Sequence, residues 1–203
     1  TAEAINIASS CWGIEFDNIN VSGGPSGLHC DNLDPSTPIY DVIIKNSFFS
    51  GFTGTNAFGI KCRNTNNVVI ENCLITTCTN YTAGSNVQGV FLSTCTGVKC
   101  TNVQSNGHAG DGAQGFRLLN VNGGQFENCT SLSNYAQDTT DTYTCAGFLV
   151  VTSTGITFTN CESSAHMAKR EAMGFLMANA IGCEFESCTS LRITQSSTYH
   201  QGH

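Results

Sequence analysis

The chain has 203 residues, of which 40% are hydrophobic and only 11% are charged, and its formal net charge is −7. This length and apolar content suffice for one domain with a sizeable core, so we expect a single domain over residues 1–203. The acidic balance and the lack of a basic run exclude nucleic acid as an expected partner. No apolar segment reaches the roughly 18 residues that indicate a membrane-spanning helix, so we expect no membrane span.

A repeat organises the chain from its start. Residues 1–26 contain a partial copy, because Gly13–Asn18 matches Gly155–Asn160 in its order of glycine, apolar and polar residues. Each later copy opens with a glycine before an apolar residue and closes at an asparagine or, once, a serine. The opening glycines are Gly27, Gly59, Gly89, Gly115, Gly147 and Gly174, and the closing residues are Asn46, Asn72, Asn102, Asn128, Asn160 and Ser187. Self-similarity at a nearly fixed period predicts a solenoid.

The residues within each copy predict strands. Apolar and polar residues alternate with period two over Ile156–Thr159 and Val68–Glu71, and Thr, Val, Ile, Phe and Cys dominate. Equivalent strands of successive copies run in one direction, so they must pair as parallel sheets wound into a coil. The closing asparagines should occupy a left-handed corner and stack one above another.

This strand, Asn-containing turn and strand pattern resembles the repeats of the right-handed parallel β-helix proteins of the pectin-lyase-like superfamily. The resemblance covers nearly the whole chain and implies an all-β, right-handed parallel β-helix of about six to seven rungs. We also expect the sequence to be a piece of a longer solenoid, because Gly202 lies about where a seventh opening glycine is due.

Twelve cysteines raise the question of a disulfide framework. In the repeat they share positions with Val, Ile and Leu, so we expect mostly reduced cysteines that pack as small apolar residues. The alternative is several disulfides, for which Cys73 with Cys78, and Cys145, are the best candidates.

The outward positions of the strand after each opening glycine become apolar late in the chain. The apolar residues are Leu119, Leu149, Val151 and Leu176. A contiguous apolar patch needs a cover. Either a loop of the same chain folds over it, or it is an interface for self-association or another protein.

Loops supply the candidate catalytic residues, which are Asp111, Asp138, Asp141, Lys169 and Arg170. Asp111 with Asp138 or Asp141 would suit a glycoside hydrolase, which needs two carboxylates across the scissile bond. The family resemblance instead implies a lyase, in which Lys169 or Arg170 would act as the basic residue with Ca²⁺. The paired-Asp and Arg-x-Lys motifs of the polygalacturonase relatives are missing. Otherwise we expect no cofactor, and no ligand spacing indicates a metal site.

The candidate ligand-binding residues are Phe91, Lys61, Arg117 and His108. Phe91 lies between Lys61 and Arg117 on adjacent copies and could form a sugar-stacking platform with flanking cations for an acidic glycan. The alternative is an aromatic side chain packed under a loop. Our first hypothesis is a structural scaffold of an extracellular, cell or virion surface, with glycans bound by its loops. The second is a polysaccharide lyase or glycoside hydrolase.

Overall fold

The computed structural model describes residues 4–137 and 144–195, and in these ranges the chain forms a parallel β-solenoid of about six turns without helices. No helix long and apolar enough to cross a membrane occurs among these residues. The all-β parallel architecture predicted from the repeat is therefore confirmed.

Four parallel sheets run along the solenoid. Sheet A contains Ile5–Ile7, Leu28–Asp31, Phe58–Arg63, Asn86–Ser93, Gly112–Leu119, Cys145–Val151 and Ala172–Ala178. Sheet B contains Trp12–Asp17, Ile39–Lys45, Thr65–Glu71, Thr96–Thr101, Asn122–Glu127, Thr154–Thr159 and Glu184–Glu186. Sheet C contains Asn20–Ser22, Phe48–Ser50, Leu74–Thr76, Gln104–Asn106, Thr130–Leu132, Glu162–Ser164 and Thr189–Leu191. Sheet D contains Thr79–Asn80, Ala109–Gly110, Tyr135–Ala136, Met167–Ala168 and Thr194–Gln195.

The closing residues of the repeat form the corner between sheets B and C. The five asparagines have φ angles of 51–54° and Ser187 has 52°, and Asn18 of the partial copy has 56°. Side-chain amides connect successive turns, since Asn72 Nδ2 donates to Asn46 Oδ1 at 3.3 Å and Asn102 Nδ2 donates to Asn72 Oδ1 at 3.0 Å. Asparagine suits this corner because it tolerates the left-handed conformation and can hydrogen-bond to its own kind on the next turn.

Phenylalanines stack along the axis of the core. Phe148 stacks on Phe116 at 4.6 Å and on Phe175 at 4.8 Å between ring centroids. Phe158 is fully buried and stacks on Phe126 at 5.1 Å between ring centroids. The stack results from the register, because equivalent residues of consecutive parallel strands lie directly above one another.

A buried polar file lies beside the opening glycines. It consists of the pairs Ser105 and His108, Ser131 and Asn134, and Ser163 and His166, all on consecutive turns and all buried. In the first pair, His108 Nδ1 accepts from the backbone N–H of Cys78 at 3.2 Å, and its Nε2 lies 2.9 Å from Ser105 Oγ. These side chains fill the space over each glycine: a Cβ on Gly89 would lie 1.8 Å from Ser105 Oγ. The repeated glycine is therefore required by close packing.

All twelve cysteines are free thiols. Nine are buried, and Cys11, Cys183 and Cys188 are partly exposed. The structure therefore agrees with the reduced, apolar role and contains none of the bridges considered at Cys73, Cys78 and Cys145. Burial raises the pKa of Cys145 to about 12 and that of Cys73 to about 11, which keeps both thiols protonated near neutral pH.

Candidate functional site

The outward face of sheet A carries a group of charged and aromatic side chains. Parallel pairing places Lys61 beside His29 on one side and Phe91 on the other. Arg117 follows Phe91 on the next strand, and Asp31 pairs in register with Arg63 one file away. The alternation of each strand directs all these side chains away from the core. The ring of Phe58 stacks on that of Phe91 and joins them. We call His29, Asp31, Phe58, Lys61, Arg63, Phe91 and Arg117 the sheet A cluster.

Asp31 is held between two cations. Its carboxylate accepts a hydrogen bond from Arg63 Nε through Oδ1 and forms an ion pair with Lys61 Nζ through Oδ2. Burial on its own would raise the pKa of Asp31, but the hydrogen bonds and charges of Lys61 and Arg63 outweigh it and lower that pKa. A carboxylate with a lowered pKa and two engaged oxygens is a poor general base. Asp31 therefore orients the two cations.

Two phenylalanine rings lie against Lys61 and Arg117. Phe58 and Phe91 stack with 5.4 Å between centroids and 16° between planes. Lys61 Nζ lies 5.2 Å from the centroid of Phe58, and Arg117 Cζ lies 5.3 Å from that of Phe91. Cation–π contacts of this length are attractive. They fix the charged groups next to half-buried apolar rings.

A pocket of about 360 Å³ opens at the end of the sheet A cluster that is nearer the N-terminus. One wall is a turn in which Asp34 N–H donates to Asn32 Oδ1 at 3.0 Å. Asn64 Nδ2 donates to the carbonyl of Asn32 at 2.6 Å and ties this turn to the neighbouring rung. The lining residues are Asn6, Ala8, His29, Asp31, Asn32, Leu33, Asp34 and Arg63. The pocket thus combines a histidine, an ion pair and amide groups at one place on the surface.

The predicted apolar patch lies further along the same face. Leu149 pairs with Leu176, and Val151 pairs with Leu119 on one side, so the four residues are neighbours. Leu149 is 9% exposed and the other three are half-buried. Their role as an interface stays a prediction.

The loop residues considered for catalysis lie in different surroundings. Asp111 is 1% exposed, and its Oδ2 accepts from the backbone N–H of Gly84 at 2.8 Å. Lys169 is exposed and Arg170 is half-buried, in the turn after Met167–Ala168. Asp138 and Asp141 lie outside the described residues. Within the described ranges, no three His, Cys, Asp or Glu side chains are close enough together to hold a metal ion.

His108 does not lie where we expected it. We expected a surface loop residue that contacts a ligand, but the side chain is fully buried in the polar file described above. Burial, with a smaller effect of the nearby His166, lowers the pKa of His108 to about 3. A neutral, enclosed imidazole cannot contact a ligand at the surface, so this expectation was wrong.

No protein-family model matches the chain, and no curated protein is significantly similar to it in sequence. The case for a function therefore depends on the side chains themselves.

Four members of the sheet A cluster were not predicted as site residues, namely His29, Asp31, Phe58 and Arg63. Their spacing nevertheless carried a usable signal. His29 and Asp31 are two positions apart on one opening strand, and Lys61 and Arg63 are two apart on the next. Two ionisable pairs on one face of adjacent strands predict a charged cluster.

Proposed function

We propose that this protein is a β-solenoid scaffold that binds an acidic polysaccharide along the outward face of sheet A. The observation that carries the proposal is the sheet A cluster, in which cations and aromatic rings share one face. The elongated array of parallel strands is suited to an extended, repetitive ligand, because equivalent positions recur about every 4.8 Å along the axis.

The charge of this face favours an anionic ligand. Lys61, Arg63 and Arg117 are three of the eight lysines and arginines in the chain, and Asp31 opposes them. The face therefore has a local excess of two positive charges in a molecule whose formal net charge is −7. Carboxylate or sulfate groups of a glycan would be attracted here and repelled by the acidic remainder of the surface.

The aromatic pair favours a sugar over a simple anion. Phe58 and Phe91 offer apolar ring surface directly beside the cations. Sugar rings present apolar C–H faces as well as hydroxyls, and concave or flat protein sites combine apolar surface with a few placed polar groups. An acidic polysaccharide offers negative charge to the cations of the sheet A cluster and apolar C–H faces to its two phenylalanine rings.

The wider assignment belongs to the same proposal. The stacked corners and four-sheet cross-section support a relationship with right-handed β-helix proteins of the pectin-lyase-like superfamily. We place the protein at an extracellular, cell or virion surface, where a rigid rod that binds glycans would act as an adhesive or protective element.

Binding is tested by isothermal titration calorimetry with polygalacturonate, and with dextran as a neutral polysaccharide. We expect binding of polygalacturonate only, and we expect it to weaken in 1 M salt, where the screening length falls to about 3 Å. The Lys61→Gln/Arg117→Gln variant should bind about tenfold more weakly or worse, a loss of about 1.4 kcal/mol. The matched control is Lys45→Gln/Lys99→Gln, which removes two cations from the outward face of sheet B.

Equal weakening by the two double variants would contradict a site on sheet A, since net charge alone would then explain binding. Equal binding of dextran would contradict the role of charge. The same samples decide between scaffold and enzyme: new reducing ends or unsaturated products after prolonged incubation would indicate a hydrolase or a lyase.

A further inference from the structure

Three asparagines of the chain begin an Asn-x-Ser/Thr sequence, which is the acceptor sequence for N-linked glycosylation. They are Asn20, Asn80 and Asn128, followed two residues later by Ser22, Thr82 and Thr130. The residue types alone do not separate the three, because so short a sequence also arises by chance. The solenoid does separate them, since an enzyme that modifies the folded protein must reach both the asparagine amide and the hydroxyl two residues further on.

Two of the three acceptor sequences are built into paired strands. Asn20–Ser22 pairs with the next turn in sheet C, and its central residue, Val21, belongs to the core. The strand Thr130–Leu132 pairs with a neighbour on each side. Cys129, which precedes this strand, is 0% exposed, and the hydroxyl oxygen of Thr130 is buried. An enzyme could bind either sequence as a free segment only after a strand had left its sheet.

The third acceptor sequence lies on a surface turn. Asn80 is the second residue of the short strand Thr79–Asn80 and is half-buried. The four residues that follow it, 81–84, are all exposed, and Tyr81 is 56% exposed. This is the setting in which a glycan acceptor is expected, because a bulky polar group can extend from the turn into solvent.

Hydrogen bonds hold this turn and leave the reactive groups free. Asn80 Oδ1 accepts from the backbone N–H of Thr82 at 2.8 Å, which forms an Asx turn. Ser85 closes the turn, because its N–H donates to the Thr82 carbonyl at 3.0 Å and its Oγ donates to the Asn80 carbonyl at 2.9 Å. Within the described residues, neither Asn80 Nδ2 nor the Thr82 hydroxyl makes a hydrogen bond. A glycan on Nδ2 therefore displaces no contact of the native turn.

We propose that Asn80 is an N-glycosylation site of the folded protein, with a lipid-diphosphate oligosaccharide as the glycan donor. This inference rests on the extracellular or surface placement proposed above, because N-linked glycans of this kind occur on surface loops of secreted proteins. Thr82 supplies the hydroxyl that the transferase requires two residues after the asparagine.

The transfer is balanced without an oxidant or a reductant. Asn80 Nδ2 attacks the anomeric carbon of the donor sugar, so that a carbon–nitrogen bond forms and the bond from that carbon to the diphosphate oxygen breaks. The lipid diphosphate leaves with the bonding electron pair. Nδ2 gives up one proton to a base of the transferase.

The test uses the folded, unmodified protein from a bacterial host, incubated with a purified oligosaccharyltransferase and its lipid-diphosphate oligosaccharide. Peptide N-glycosidase in heavy-oxygen water then converts each glycosylated asparagine to a labelled aspartate, which peptide mass spectrometry locates. We expect the label at Asn80 and none at Asn20 or Asn128. Polygalacturonate binding is measured on the unmodified protein, so either result can fail without the other.

Substitutions and peptides separate the acceptor sequence from the turn. Asn80→Gln and Thr82→Ala should remove the label, whereas Thr82→Ser keeps the hydroxyl and should retain it. Synthetic peptides with the sequences around Asn20 and Asn128 are the matched control. They should accept the glycan that the same sequences refuse in the folded protein, because the peptides contain no paired strand.

Three results would overturn the proposal. An unlabelled Asn80 in the folded protein would show that the turn does not present the acceptor. Equal labelling of Asn80 and Asn128 would show that the fold does not select among the three sequences. A lower melting temperature of the glycosylated protein would show that the native turn cannot carry a glycan. Far-UV circular dichroism of each variant confirms that the solenoid is folded in every comparison.

Discussion

The two buried histidines should make the protein sensitive to mild acid. His108 and His166 are enclosed in the polar file, where burial lowers their pKa values to about 3 and about 4. Their hydrogen bonds require the neutral form. Nδ1 of His108 accepts from the backbone N–H of Cys78, and Nδ1 of His166 accepts from that of Asn134. Nε2 of each ring lies within hydrogen-bond distance of a serine hydroxyl. If Nδ1 were protonated, it could no longer accept this hydrogen bond, and its own N–H would point at the backbone N–H.

The sign of the pH effect follows from the two folded pKa values. In the unfolded chain an imidazole has a pKa of about 6.5 and binds a proton as the pH falls below 7. In the folded chain it stays neutral until the pH approaches 3 or 4. The unfolded state therefore binds more protons, so stability is retained above about pH 6.5 and lost as the pH falls below it.

The expected decrease in the free energy of unfolding is large. Between pH 7 and pH 5, linkage gives about 2 kcal/mol for each histidine, or about 4 kcal/mol for the pair. This is a large part of the 5–15 kcal/mol that stabilises an ordinary domain. Titration of Asp31 does not contribute to the decrease between pH 7 and pH 5. Its pKa is lowered in the folded state, so its contribution is present above about pH 3.8 and disappears only below that value.

The assay is urea unfolding followed by circular dichroism at pH 7, 6 and 5. The test variant is His108→Asn/His166→Asn, because Asn134 already occupies the equivalent place on the turn between them. Asn134 Oδ1 accepts from the His108 N–H at 3.2 Å, and its Nδ2 donates to Ser131 Oγ at 3.0 Å. The variant should be less stable at pH 7. Its free energy of unfolding should, however, fall between pH 7 and pH 5 by about 4 kcal/mol less than that of the unsubstituted protein. If both proteins show the same pH dependence, the buried imidazoles do not cause it.

Three further substitutions test the core, the close packing over the opening glycines and the sheet A cluster. Phe158→Ala should lower the free energy of unfolding by about 3–5 kcal/mol, because it empties one position of a buried ring stack; an unchanged melting temperature would contradict that stack. Gly115→Ala should destabilise by about 1–3 kcal/mol, since its Cβ would lie 2.0 Å from Ser131 Oγ, and Ser131→Gly should restore part of the loss in thermal unfolding. Asp31→Asn should lower stability while it strengthens polygalacturonate binding in calorimetry, because the cations lose their opposing charge. Weaker binding would show that the orientation Asp31 gives to Lys61 and Arg63 matters more for binding than the charge it opposes.

The architecture could be predicted because a solenoid repeats its local requirements. A left-handed corner selects Asn46, Asn72 and Asn102, and close packing selects glycine at the start of each copy. These requirements are local and recur at a nearly fixed spacing, so they are visible in one sequence. The number of sheets was less apparent. The short strands of sheet D contain only two residues each, which is too few for a period-two pattern.

His108 shows why side-chain direction was harder to predict. It follows a corner within a segment of variable length, and polar residues in such segments usually face solvent. A repeated spacing nevertheless marked its true position. Serine is followed three residues later by His or Asn in three consecutive copies, at Ser105, Ser131 and Ser163. Three buried pairs at one spacing indicate a structural file, whereas a single histidine would not.

The sheet A cluster was only partly predictable, for a reason inherent to this architecture. Core files must keep matching shapes from turn to turn, because each ring or methyl group packs on the one above it. Outward files have no such requirement. The outward position that Lys61 occupies on one strand is occupied on the following strands by Phe91, Arg117, Leu149 and Leu176, and the strands keep their pairing. The repeat therefore encodes the fold, and the departures from repetition on the outward face determine the chemistry of that surface. Positively charged residues at one end of that face and leucines at the other divide it into two surfaces that differ in chemistry.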